Sequence, residues 1–405
     1  MTTHEHPPLQ PGRAIAPDLA RGLMLLFIAL ANVPWFLYGP PTALTSAHRA
    51  TASGLDAVWQ TIAIVAIDGR SYPLFAFLFG YGIWQFYLRQ ERLGVEEKTA
   101  RRLLQQRHLW MIGIGAVHAA LLFQGDVVGA YGLVGFIVVW LYLRRANRTL
   151  RRWIIALGCI LAVLTAFMWL IAMLLTPEDA ALVAGSAMPQ LAAESSYLAS
   201  IVARFEFWFT VGLTQGISPT VPIAVFLAII CARHRVLESP ESHRPLLVRT
   251  AIIGIAIGWA GAVPSVLAHH GIWSVLEWAP ALLHQMTGLF AGLGYAALFA
   301  LLAMRFSSRR SPGPLVTGLT AIGKRSLSCY LLQSAIFAPL LAAWGLGLGG
   351  ILDEWQAALV AVAAWVVSMV FAVALETAGK RGPAEWLLRT LAYRGQPSSA
   401  TPVVN

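Results

Sequence analysis

Apolar residues in this chain fall into runs of about 16 to 28, separated by short charged connectors, and a helix needs roughly 20 such residues to cross a bilayer core. The runs lie at about 17–37, 71–88, 108–123, 126–143, 153–175, 207–232, 247–268, 281–304, 316–344 and 357–376. Alternation with a period of two, which a membrane β-barrel requires, is absent from them. A soluble fold is excluded on composition. With 58% apolar residues, 12% charged and a mean hydropathy of +0.66, the chain has too little charge to wet a globular surface of this size. The expectation is an all-α, polytopic membrane helix bundle of about ten transmembrane helices.

Orientation follows from where the cations fall. With the N-terminus in the cytoplasm, the cytoplasmic connectors hold Arg89 to Arg107, Arg144 to Arg152, Arg233 to Arg249, Arg305 to Arg310 and Lys380 to Arg394. Of the 29 Lys and Arg, only Arg49, Arg70 and Arg204 fall on the opposite side. Cytoplasmic loops collect Lys and Arg, so this asymmetry predicts an even number of spans with both termini cytoplasmic. It also explains the net charge of +10 without nucleic acid.

Residues 1–16 read as a disordered cytoplasmic tail, 17–376 as one transmembrane domain, and 377–405 as a cytoplasmic amphipathic segment and tail. In that segment Trp386, Leu387 and Leu391 would face lipid. The first apolar run reads as a span and not as a cleaved signal, since Asp18 interrupts its charged flank. Residues 55–67 are too short to cross and suggest an interfacial or re-entrant helix on the outer side. The outer loop at about 176–206, with Glu178, Asp179, Glu194 and Glu206, has room for a short helix. Cys159, Cys231 and Cys329 all lie in apolar runs, which fits packing and neither a disulfide framework nor a metal site.

Ionisable and polar groups inside such spans need partners or a purpose. Asp18 and Arg21 are three residues apart and can form a structural ion pair or serve a ligand. Asn32 is either interhelical glue or part of a pocket, and Asp68 and Arg70 either close a turn before Pro73 or face a substrate. His118 stands in an apolar context eight residues before Asp126. The two share a face if the helix persists, and a carboxylate beside a histidine fixes its tautomer and raises its basicity. A histidine merely bonded within the bundle is the alternative. Lys324 and Arg325 open the ninth run, followed by Ser326, Tyr330, Gln333 and Ser334 as a polar stripe. That helix start and its cations offer an anion site, or simple anchoring at the cytoplasmic face. His284 adds a further polar group near the outer end of the eighth run. No Walker loop, dinucleotide fingerprint or hydrolase elbow is present.

These segments together resemble the YeiB-like family, domain of unknown function 418. The resemblance rests on Asp18-Leu-Ala-Arg21-Gly22 with Asn32, on Gly69-Arg70-Ser-Tyr-Pro through Gly80, and on His118 with Gly125-Asp126 to Tyr131. Gly323-Lys-Arg-Ser through Ser334 and Gly382-Pro-Ala-Glu385-Trp386 complete it, in order over nearly the whole chain. That family is in turn distantly similar to membrane acyltransferases, which share the opening Asp-x-x-Arg-Gly. Many bacterial members of that group carry a catalytic histidine near the outer end of the first span, where this chain has Asn32.

The resemblance implies acyl transfer from cytoplasmic acyl-CoA, as co-substrate and not a resident cofactor, to an envelope glycan or lipid acceptor. His118 would be the base, with His48 a second choice, Asp126 its orienting partner, and Arg70 or Gln333 the oxyanion donor. Arg21, Lys324 and Arg325 would hold the donor, and Asn32, Asp68, His284, Tyr330, Gln333 and Ser334 would line the acceptor pocket. No metal is expected. A transporter or exporter of a small or lipid-like solute, with His118 and Asp126 as proton relay, is the alternative, and a non-catalytic envelope protein the third.

Overall fold

The computed structural model describes residues 15–175, 189–307 except 274 and 277, and 313–393. The tail at 1–14, the segment with Glu178 and Asp179, and residues beyond 393 lie outside the described residues. Among those described there is no strand, only one isolated bridge between Thr42 and Arg49. The helices are α1 (Ile15–Asn32), α2 (Gly54–Ala66), α3 (Ser71–Arg92), α4 (Glu97–Leu121), α5 (Val128–Leu141) and α6 (Asn147–Leu174). They continue with α7 (Tyr197–Phe207), α8 (Thr220–Arg233), α9 (Arg244–Ala260), α10 (Val263–His269), α11 (Ala281–Ser307), α12 (Pro314–Lys324), α13 (Ser326–Leu341), α14 (Glu354–Thr377) and α15 (Pro383–Ala392).

By length and composition six segments can cross a membrane: α1, the α2–α3 stretch, α6, α9–α10, α11 and α14. The bent pair α7–α8, broken by 51°, makes a seventh. This is fewer than the ten expected. The shortfall has physical causes: α5 and α13 are apolar but short, and basic residues crowd the first half of α4. Three boundaries also differ. The run at 55–67 is a helix that turns at Asp68-Gly69-Arg70 straight into α3, with Gly69 at φ +70° against the His284 ring. The sixth run begins earlier, at Tyr197, and passes through a π-turn at Trp208–Gly212. The ninth divides at Arg325 into α12 and α13.

Small residues let the backbones approach, as helix association without a hydrophobic drive requires. Gly22 on α1 meets the Leu319 carbonyl of α12, and Gly323 meets Asp18. Gly254 and Gly258 of α9 do the same against Phe290 and Ala291 of α11. Around α1, Leu19, Met24 and Leu25 pack with Leu74, Leu78 and Tyr81 of α3 and with Ile223, Val225 and Ile229 of α8. By contrast α6 buries little of itself; Ile155, Val163, Phe167 and Met173 face outward, as a lipid-facing helix would.

The bundle has two chemically distinct ends. At one, Arg233 bonds Asn147 and the Arg145 carbonyl, Arg144 pairs with Glu97, and Lys324 and Arg325 pair with Glu376. At the other gather His48, Asp68, Arg70, His269, His284 and Glu354. The three arginines that break the charge asymmetry are all committed there to backbone oxygens. Arg49 donates to Leu352 O, Arg70 to Gly258 O and Asp68 O, and Arg204 to Ala120 O and Leu121 O. Helix-end carbonyls lack intrahelical donors, and guanidinium groups supply them.

Candidate functional site

Helix α4 ends at Leu121, so His118 and Asp126 are not joined by a continuing helix; the chain turns back through Leu122–Val127. That turn still brings them together. His118 Nδ1 lies 2.7 Å from Asp126 Oδ2, while Asp126 Oδ1 accepts from the Gly129 N–H at 2.8 Å and fixes the start of α5. Gly115, one turn before His118, leaves room for Asp126 and Gly129 against α4; a Cβ there would strike both. Gly129 in turn faces the Trp208 ring of the π-turn. The close approach of His118 and Asp126 depends on these two glycines.

An ionised carboxylate only accepts, so Nδ1 carries the proton and Nε2 presents its lone pair. Nε2 is buried and without a hydrogen-bond partner among the described residues. Tyr330 of α13 packs on the imidazole with ring centres 5.2 Å apart, and its hydroxyl accepts from Val127 N–H at 3.4 Å. All three side chains are at least 95% buried. An oriented imidazole with one bare nitrogen can take a proton from a donor brought to it.

Other expected site residues gather elsewhere. Gln333, one turn beyond Tyr330, donates to Leu25 O at 3.4 Å, and Ser334 is buried beside it. Asn32 closes α1 and its side chain makes no capping bond. Arg21 keeps the Asp18 pair at 3.2 Å. Lys324 and Arg325 both hold Glu376 at 2.6 Å, and Arg325 also binds Lys380 O. The start of α13, expected as an anion site, is filled by the chain's own carboxylate: Glu385 of α15 accepts from Leu327 N–H and the Ser328 hydroxyl.

Arg70, expected as an oxyanion donor beside His118, is instead in a second cluster. Its guanidinium binds Asp68 O, Gly258 O and His284, with none of its bonds among the described residues going to the dyad. Nearby, His48 Nδ1 lies 2.6 Å from Glu354 Oε2 and Nε2 lies 2.7 Å from Asp68 Oδ2. Burial disfavours the imidazolium, yet Asp68 and Glu354 raise the ring to about 10. With both nitrogens occupied His48 cannot serve as a base; it is a cationic clamp holding the 37–53 loop to the α2–α3 turn and to α14. Gln60 donates to Glu354 and receives His269 at 2.9 Å. Glu354, Gln60 and His269 were not anticipated. Glu354 lies 306 residues from His48, and no local pattern announces such a pairing.

Comparison with known proteins bears on the whole chain. Residues 231–395 match the family model described as "Protein of unknown function (DUF418)". The chain is 26% identical over 394 residues to "Uncharacterized protein YxaH" of Bacillus subtilis (strain 168), covering 93% of each. It is 25% identical over 417 residues to "Uncharacterized protein YeiB" of Escherichia coli (strain K12), covering 94% of this chain and 97% of that one.

Proposed function

We propose, for a chain that belongs to the YeiB-like family, an acyl-transfer role within a multi-pass membrane bundle, with His118 as the base. The observation that carries this reading is the buried His118–Asp126 pair, 2.7 Å apart, whose outward nitrogen has no partner. An acceptor hydroxyl or amine gives its proton to Nε2 as its heteroatom bonds to the thioester carbonyl carbon. The C–S bond then breaks, and the leaving thiolate of CoA takes the proton back from His118. Asp126 holds the tautomer and steadies the imidazolium between the two transfers. Of the two oxyanion candidates Gln333 is the better placed, since it is one turn from Tyr330 on the same helix while Arg70 is committed elsewhere.

The donor's phosphates belong at the arginine-rich end, where Arg107 is close enough to Arg21 to feel its charge. Lys324 and Arg325 serve less directly, being matched by Glu376. Ten crossings result when the bent pair counts once and α4, α5 and α13 also span, with both termini cytoplasmic. The acceptor is then an envelope glycan or lipid.

Acyl-labelled acyl-CoA incubated with membranes from cells expressing the chain tests this reading. Label should appear in a lipid or glycan fraction, and His118→Ala should lower it by about two orders of magnitude or more. Full incorporation by that variant removes the proposed base. A second reading, proton-coupled transport, is favoured by the breaks at α7–α8 and at Arg325, since discontinuous helices frame transporter sites. Proton-driven solute uptake in vesicles, abolished by Asp126→Asn and indifferent to acyl-CoA, would select it.

A further inference from the structure

Beneath the 37–53 loop lies a cavity of about 320 Å³ that the His118 chemistry does not use. We infer that it is a binding site for a small organic ammonium ion. Two acceptors line it. The Asp68 carboxylate gives one oxygen to His48 and keeps 24% of its side chain exposed on the cavity. His269 supplies the second. Gln60 donates its amide N–H groups to Glu354 and to Arg49 O, so its oxygen faces His269 Nε2, which must carry the proton. Nδ1 therefore holds a lone pair, on a residue nine-tenths buried that lines the cavity. Ser265 stands in the same wall, its hydroxyl buried and without a partner among the described residues.

Charge selects among donors. Asp68 and Glu354 are two carboxylates that share one imidazolium, His48, while the nearby Arg70 guanidinium is turned to backbone oxygens and His284. An anionic ligand would meet Asp68 with no cation turned toward it. A neutral diol would satisfy the acceptors and leave the charge unmatched. An ammonium group satisfies both. The volume suits a molecule of a few heavy atoms, at the small end of ligand pockets. The site does not rest on the His118 reading, although the two adjoin: Tyr72, in the cavity wall, accepts through its carbonyl from the Tyr131 hydroxyl of α5.

Three probes of one size separate the possibilities: ethanolamine, ethylene glycol and glycolate, each added to the detergent-solubilised full chain at pH 7 and followed by saturation-transfer NMR. Ethanolamine should give the strongest signal. Ser265→Phe, which fills the cavity without touching the His48 clamp, should abolish it while the unfolding temperature stays within a few degrees of the parent. Asp68→Asn should weaken ethanolamine about tenfold or more and leave ethylene glycol unchanged. Equal binding of ethylene glycol, preference for glycolate, no ethanolamine signal up to about 100 mM, or an ethanolamine signal that survives in a folded Ser265→Phe would each overturn the inference.

Discussion

Replacing His48 by glutamine should expose how much the cationic clamp holds. The imidazolium sits between Glu354, whose side chain is fully buried, and Asp68, at 2.6 and 2.7 Å. Its ring moves from 6.5 to about 10 on folding. The sign follows directly. A raised folded value contributes stability that is complete below pH 6.5 and is lost as pH climbs through about 10. At ~1.4 kcal/mol per pH unit the interval corresponds to about 5 kcal/mol, near the ~3–5 kcal/mol expected for breaking a buried ion pair. For a chain of this length unfolding as one unit, that is roughly a 4–6 °C drop in Tm. Thermal unfolding can be followed through the 15 tryptophans at pH 6, 8 and 10. The gap between parent and His48→Gln should be widest at pH 6, about half as large at pH 8 and nearly closed at pH 10. A gap that does not change with pH would refute the charged clamp.

Arg204→Met should destabilise the end of α4 by ~2–4 kcal/mol, because Ala120 O and Leu121 O lose their buried donor; hydrogen exchange at residues 118–123 would report it. Gly323→Ala should cost ~1–3 kcal/mol in thermal unfolding, since its Cβ would meet the Asp18 backbone, whereas Gly158→Ala, where a Cβ meets nothing, should be neutral or better. Glu385→Ala should release α15 from the start of α13 and speed tryptic cleavage at Lys380 and Arg381; unchanged cleavage would mean that the helix docks without that carboxylate.

Much of the local chemistry was legible before any packing was known. The eight-residue spacing pointed to a His118–Asp126 pair by way of a continuing helix; the pair forms, but through a turn for which Gly115 and Gly129 leave room. An amphipathic helix in the tail was readable from its spacing, and Trp386 and Leu387 are exposed, but Leu391 is half-buried and the docking of the helix through Glu385 was not foreseen. Span counting was less secure. A hydropathy run such as 316–344 cannot reveal that Arg325 interrupts it, because the break is stabilised by Glu376 and by Lys380 O, both more than 50 residues downstream.

What the residues alone determined is the solvent the chain requires: long apolar runs with cations gathered in alternate connectors suit helices in a bilayer, and that property is additive along the chain. Only tertiary structure decided which polar groups meet. A buried carboxylate must find a partner wherever one exists, so His48 joined Asp68 and Glu354, Arg70 went to His284 and backbone oxygens, and His118 joined Asp126 with its second nitrogen left unspent.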